Sequence, residues 1–100
     1  DKYFLLKVYK KNNKYLLVKN RNFNFLKNFN IFPMQELTKP KNFTKNLNFR
    51  MSNMNMNINI ENDKMIKSIP FSYWIDPKKL KNYTLPTFTK KIVTYLENHK

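Results

Sequence analysis

The chain has 100 residues, enough for one small domain around a single core. Its 20 Lys and Arg against 6 Asp and Glu give a net charge of +14. That charge suits a polyanionic partner through counterion release, although the bases are spread along the chain and a solvated lysine surface explains them equally well. Cysteine and glycine are both absent, which excludes disulfides, thiolate metal ligands, a thiol nucleophile and every glycine-dependent phosphate loop within this chain.

Residues 1–10, DKYFLLKVYK, lack the long apolar centre and small-residue cleavage site of a signal peptide. No later run approaches the roughly 18–20 apolar residues that span a bilayer, so no membrane partner and a cytoplasmic location are expected. No initiator Met precedes Asp1, which points to a fragment of a longer chain. Phe4, Leu6 and Val8 alternate with Tyr3, Leu5, Lys7 and Tyr9, and a short apolar run follows at Tyr15–Val18. With Asn12 and Asn13 between them, residues that tolerate positive φ, these runs predict a β-hairpin. The Asn- and Phe-rich stretch 22–32 has no clear period and ends at Pro33. Residues 35–48 are polar and contain Pro40, and predict a loop or at most a short helical turn.

A period of two returns after Met51. Met54, Met56, Ile58 and Ile60 fall on one face, and Asn53, Asn55, Asn57 and Asn59 on the other. This is the pattern of a strand with one buried and one wet face. Residues 61–64 read as a turn, Met65–Ile69 as a short return strand, and Phe71–Ile75 after Pro70 as the last strand. Asp76-Pro77 is an N-cap followed by proline in the first helical position, opening a short helix through Leu80. Thr87 is placed to cap a terminal helix whose Phe88, Ile92, Tyr95 and Leu96 form one apolar stripe. His99 and Lys100 at its end suit the helix dipole. Strands with a closing helix, and 16% aromatic residues to fill a core, make a folded α+β domain over residues 1–100.

Catalytic groups are sparse. The acids are isolated in sequence, and a lone terminal histidine such as His99 is far more often solvated than catalytic. Binding features are richer. Aromatics interleave with bases and amides in 21–25, in 41–45 and at Phe49-Arg50, which supplies phosphate contacts beside stacking residues. Taken singly, each of these phenylalanines reads better as core.

Phe25-Leu26-Lys27-Asn28-Phe29-Asn30-Ile31-Phe32-Pro33, preceded by Leu16-Leu17-Val18 and Arg21, resembles the "RP..GLLGGMWEFP" stretch of MutY-type adenine DNA glycosylases. Arg21, Leu26, Phe32 and Pro33 match, Lys27 and Asn28 replace two glycines, Asn30-Ile31 replaces Trp-Glu, and the spacing is one residue short. Tyr73-Trp74-Ile75-Asp76-Pro77-Lys78-Lys79-Leu80, then Leu85-Pro86-Thr87 and Lys90-Lys91-Ile92, is similar to the ending of that family's C-terminal domain. Between these anchors the family has a His-x-Phe-Ser/Thr-His loop running into an alternating strand. Met51-Ser52-Asn53 stands in that register, with Phe49 and Asn53 where the histidines fall. Phe43-Thr44-Lys45 is a rival, but no alternating strand follows it directly.

The resemblance implies a Nudix-like mixed β-sheet with a C-terminal helix. The magnesium-binding helix of true Nudix hydrolases is reduced or absent, since only Glu36 follows Pro33 closely. It also implies a role in base-excision repair: a non-catalytic domain that recognises 8-oxoguanine opposite mispaired adenine in double-stranded DNA. In that family a separate N-terminal catalytic domain with an iron–sulfur cluster removes the adenine. On this reading Met51, Ser52 and Asn53 form the lesion-recognition loop, Arg21, Lys45 and Arg50 contact DNA, and this chain itself holds no cofactor. The alternative from another class is a small basic RNA-binding or ribosome-associated protein, explained by charge and aromatics alone.

Overall fold

In a computed structural model, which describes residues 1–64 and 68–99, the chain forms a seven-stranded mixed sheet followed by two helical segments. The predicted hairpin is present as β1 (Lys2–Lys11) and β2 (Lys14–Lys19). Asn12 and Asn13 both hold positive φ, 52° and 62°, as a two-residue hairpin turn requires. The two strands pair only at the tip, through Lys10 with Tyr15 and Lys11 with Lys14, and then diverge into two arms.

In the first arm β1 is central. Tyr3–Leu6 pair antiparallel with β4 (Met34–Leu37), and Lys2–Tyr9 pair in parallel with β6 (Met54–Asp63) on the other edge. β5 (Leu47–Met51) then pairs antiparallel with β6 and ends that side of the sheet. In the second arm β2 pairs with β3 (Asn30–Ile31) and with β7 (Ser72–Ile75). The alternation seen in β1 is kept: Phe4, Leu6 and Val8 face the core, at 0%, 0% and 2% exposure. They meet Tyr15, Leu17, Met56, Ile58, Ile75 and the helix residues Phe88, Ile92 and Val93 in one cluster.

Asp76 caps a 3-10 helix (Pro77–Asn82), its Oδ1 accepting from the Lys78 N–H at 3.0 Å. The terminal helix α1 (Thr87–Asn98) reaches both arms. Its Phe88 ring meets Phe49 of β5 at 4.9 Å, the Thr89 hydroxyl donates to the Asn30 carbonyl of β3 at 2.7 Å, and Glu97 accepts from the Tyr15 hydroxyl of β2 at 2.6 Å.

Five local expectations are corrected. Residues 35–37 are not loop but strand β4, and the loop gives way again at Leu47, where β5 begins. The polar Gln35 and Glu36 gave no strand signal because β4 is an edge held by β1, with Glu36 paired to Lys2 at 3.4 Å. Glu61–Asp63 are not a turn: β6 runs on because Lys7, Val8 and Tyr9 pair with them, and Lys7 bridges Glu61 and Asp63 at 3.8 and 3.3 Å. Thr87 does not cap α1. Pro86, at φ −65°, holds the extended boundary position with no side-chain cap, and Thr87 is already helical. Of the return strand expected at 65–69, residues 65–67 lie outside the described residues, and Ser68 and Ile69 are not in a strand.

The fifth correction concerns the asparagine face of β6, which is not simply wet. Asn57 is only 6% exposed, and its amide donates to the Lys2 carbonyl at 3.2 Å. Asn48 donates to Asn55 and to the Met56 carbonyl at 2.8 and 2.9 Å, while Asn59 donates to the Thr44 carbonyl at 2.8 Å. The face is polar and bonded: its amides fasten β5 and the preceding loop to β6.

Candidate nucleic-acid interface

The head of the alternating strand is a two-residue hairpin turn. Met51 and Met54 are cross-strand partners, Ser52 and Asn53 form the exposed tip, and Ser52 holds φ 56°. Positive φ at the first turn position usually calls for glycine, and a chain without glycine places serine there. Met51 is the last residue of β5, half-buried against the core, so it anchors the turn rather than projecting from it.

The turn does not stand alone. A cleft of about 530 Å³ opens beside it, lined by Met51, Ser52, Asn53 and Met54 on one side and Asn24 and Phe25 on the other. Asp1 and Lys2 complete its edge. The half-buried Phe25, Met51 and Met54 give the cleft an apolar inner wall, and the exposed Asn24, Ser52 and Asn53 give it a mouth of amides and a hydroxyl. Such a mouth donates and accepts, which suits the edge of a base.

The opposite wall is built by the loop 20–29, and Asn20 organises it. Asn20 is 2% exposed; its amide donates to the carbonyls of Phe25 and Leu26 at 2.5 and 3.0 Å, and its Oδ1 accepts from the Phe23 N–H at 3.0 Å. Its own backbone bonds to Phe29 and Asn28 close the loop at 2.8 and 2.7 Å. Phe23 and Phe25 stack at 5.1 Å, each edge-on to Phe4 at 5.7 Å. Asn28 holds φ 69° at one of the two positions where the resembled family has glycine, and Leu26 holds φ 49°. Asparagine is the best non-glycine substitute for that conformation. The 21–25 stretch was recognisable as an aromatic–amide run, whereas Asn20 carried no sequence signal.

The other expected contacts scatter. Arg50 is exposed on β5 opposite Asn55, one residue from the turn. Lys45 precedes β5 at its far end, about 20 Å from Ser52 at the rise of a strand. Arg21 leaves the cleft altogether. Its guanidinium lies 4.4 Å over the ring of Phe71, which is 65% exposed, in a separate groove. In the rival stretch, Phe43 packs edge-on against Tyr3 at 5.2 Å and Thr44 serves as a backbone acceptor for Asn59.

No protein-family model matches the sequence, and no curated protein sequence matches it either. Solved structures do. The chain folds like the C-terminal domain of mouse MUTYH. That domain, solved in complex with human PCNA, aligns over 99% of this chain and 89% of its own length with a TM-score of 0.67. Sequence identity is 14%, so the likeness to the MUTYH domain establishes the α+β architecture and leaves the chemistry of the cleft to the residues themselves.

Proposed function

We propose that this chain is a DNA-repair domain that reads 8-oxoguanine paired with adenine, working beside a separate domain that excises the adenine. The observation that carries this reading is the Ser52-Asn53 turn, set at the head of an alternating strand and at the mouth of an apolar-backed cleft, in a fold like that of the MUTYH domain. Oxidation turns guanine N7 from an acceptor into an N–H donor and adds a carbonyl at C8. The Ser52 hydroxyl accepts from the first and the Asn53 or Asn24 amide donates to the second. Met51 and Phe25 supply apolar surface against which a distorted base step can rest. Arg50 and Lys2 lie close enough to the turn to meet backbone phosphates, while Arg21 and Lys45 fit only a footprint that extends beyond the cleft. The chain has no cysteine, so an iron–sulfur cluster would have to be held by the other domain.

The test is the affinity of the chain for duplexes that differ only in 8-oxoguanine:adenine against guanine:adenine, measured at two salt concentrations. Ser52→Gly keeps the positive-φ turn and removes the hydroxyl. The expected result is a preference for the oxidised duplex that falls by about 5- to 100-fold in the variant, the range of one good base-edge contact. Equal binding to both duplexes by the unaltered chain would overturn the reading.

A further inference from the structure

The closed end of the β1–β2 hairpin lies at the opposite end of β1 from the Ser52 turn, and it carries a charge arrangement that folding alone does not explain. Lys11 and Lys14 are directly opposed across the strands. Like charges in that position destabilise a hairpin. Strand register adds more to the same side of the sheet. Tyr9 shares the Lys11 face of β1, Leu16 shares the Lys14 face of β2, and Leu16 pairs with Trp74 of β7. Lys64 follows Asp63, the parallel partner of Tyr9. Tyr9, Lys10, Lys11, Lys64 and Trp74 line one cavity of about 540 Å³, together with Asp63 and Ser68.

The acid that lines this cavity is already engaged. The Asp63 carboxylate is committed to the Lys7 ammonium at 3.3 Å and the Lys64 N–H at 2.8 Å. Every other acid is engaged elsewhere: Glu61 and Glu36 with Lys7 and Lys2, Asp1 with Asn55, Asp76 as a helix cap and Glu97 with Tyr15. Lys10 rests 5.5 Å over the Tyr15 ring. Among the described residues Lys11, Lys14 and Lys64 have no ion-pair partner.

We propose that this end of the molecule is a binding site for a single strand of nucleic acid, its phosphates on Lys11, Lys14 and Lys64 and one base against Trp74 and Tyr9. Opposed lysines are relieved by a phosphodiester that bridges them, and aromatic faces beside a cationic rim are what unpaired bases stack on. A duplex offers phosphates but no free base face, and an acidic peptide offers charge without stacking, so the lysines and aromatics together favour the single strand. The site is independent of the Ser52 cleft.

Trp74 is the one tryptophan of the chain, so its fluorescence reports this site directly. Titration with a short oligothymidylate is expected to quench it, and inorganic phosphate or polyglutamate at matched charge is not. The double variant Lys11→Ala/Lys14→Ala is expected to weaken binding and to flatten the log–log salt slope by about 1.4, the value for two single-strand phosphate contacts. Trp74→Leu, checked for folding by circular dichroism and read by the anisotropy of a dye-labelled oligothymidylate, is expected to weaken oligonucleotide binding about 5- to 100-fold, as loss of one stacked base does. Quenching whose affinity and salt slope are unchanged by loss of both lysines, or that polyglutamate reproduces, would overturn the proposal. Ser52→Gly should leave the Trp74 response unchanged, so a failed lesion preference and a failed single-strand site give different results.

Discussion

Among the described residues seven non-glycine positions hold positive φ: Asn12, Asn13, Leu26, Asn28, Asn42, Ser52 and Phe71. Four are asparagines, whose short amide bears the left-handed region at the lowest cost among residues with a Cβ. Ser52 has no such advantage, so Ser52→Gly should raise stability by up to about 1 kcal/mol while abolishing any role of the hydroxyl. Urea denaturation of the variant measures this, and a loss of stability would mean that the hydroxyl supports the turn. Asn20 is the opposite case. Asn20→Ala would orphan two carbonyls and one N–H in a nearly closed site, costing about 2–3 kcal/mol. The same change should loosen the Asn24–Phe25 wall and lower affinity at the cleft. Asn20→Asp is a sharper probe, because it keeps the acceptor for Phe23 but cannot donate to Phe25 and Leu26.

At the level of elements, the link between β2 and α1 is the clearest polar fastening. The Tyr15 hydroxyl is held well above its ordinary value of 10.0, first by burial and then by its hydrogen bond to Glu97. The folded state therefore keeps a proton that the unfolded chain has released above pH 10. Stability from this group is complete below pH 10 and is lost as pH rises further, at up to about 1.4 kcal/mol per pH unit. Tyr15→Phe should remove that part of the alkaline slope, read as the difference between the two proteins' unfolding free energies from pH 9 to 11. Elements were legible from sequence where side-chain period decided them. β1 and the core of β6 announce themselves by alternation, β2 and β7 by short apolar or aromatic runs, the 3-10 helix by its Asp76 cap and α1 by an apolar stripe. β4 and the last residues of β6 did not, because Gln35, Glu36, Glu61 and Asp63 become strand only through their partners on β1. The candidate site divides the same way. The Ser52 turn was visible at the head of its strand, but the wall supplied by Asn24 and Phe25 depends on Asn20, whose bonds no local pattern encodes.

For the whole molecule, charge is the dominant property. Each of the six acids is engaged within the fold, and only Lys2 and Lys7 among the described cations are ion-paired, all in exposed pairs of small individual worth. The remaining bases repel one another, so the net charge of +14 opposes compaction. Added salt has two opposing effects: it screens this repulsion, and it also weakens the surface ion pairs of Lys2 and Lys7. The repulsion involves many more charges over longer distances, so it is the larger quantity. Raising sodium chloride from about 20 mM to about 300 mM shortens the Debye length from roughly 20 Å to under 10 Å, and the melting temperature should therefore rise. At about 4–8 °C per kcal/mol for a domain of this size, a relief of 1 kcal/mol is readily measured by calorimetry. Double-stranded DNA should stabilise the chain at low salt and progressively lose that effect as salt increases, since both its affinity and the repulsion it relieves are electrostatic. A melting temperature that falls with salt would show that the ion pairs, not the excess of cations, govern stability. DNA stabilisation that is independent of salt would place the binding free energy in apolar contact rather than in the lysine surface.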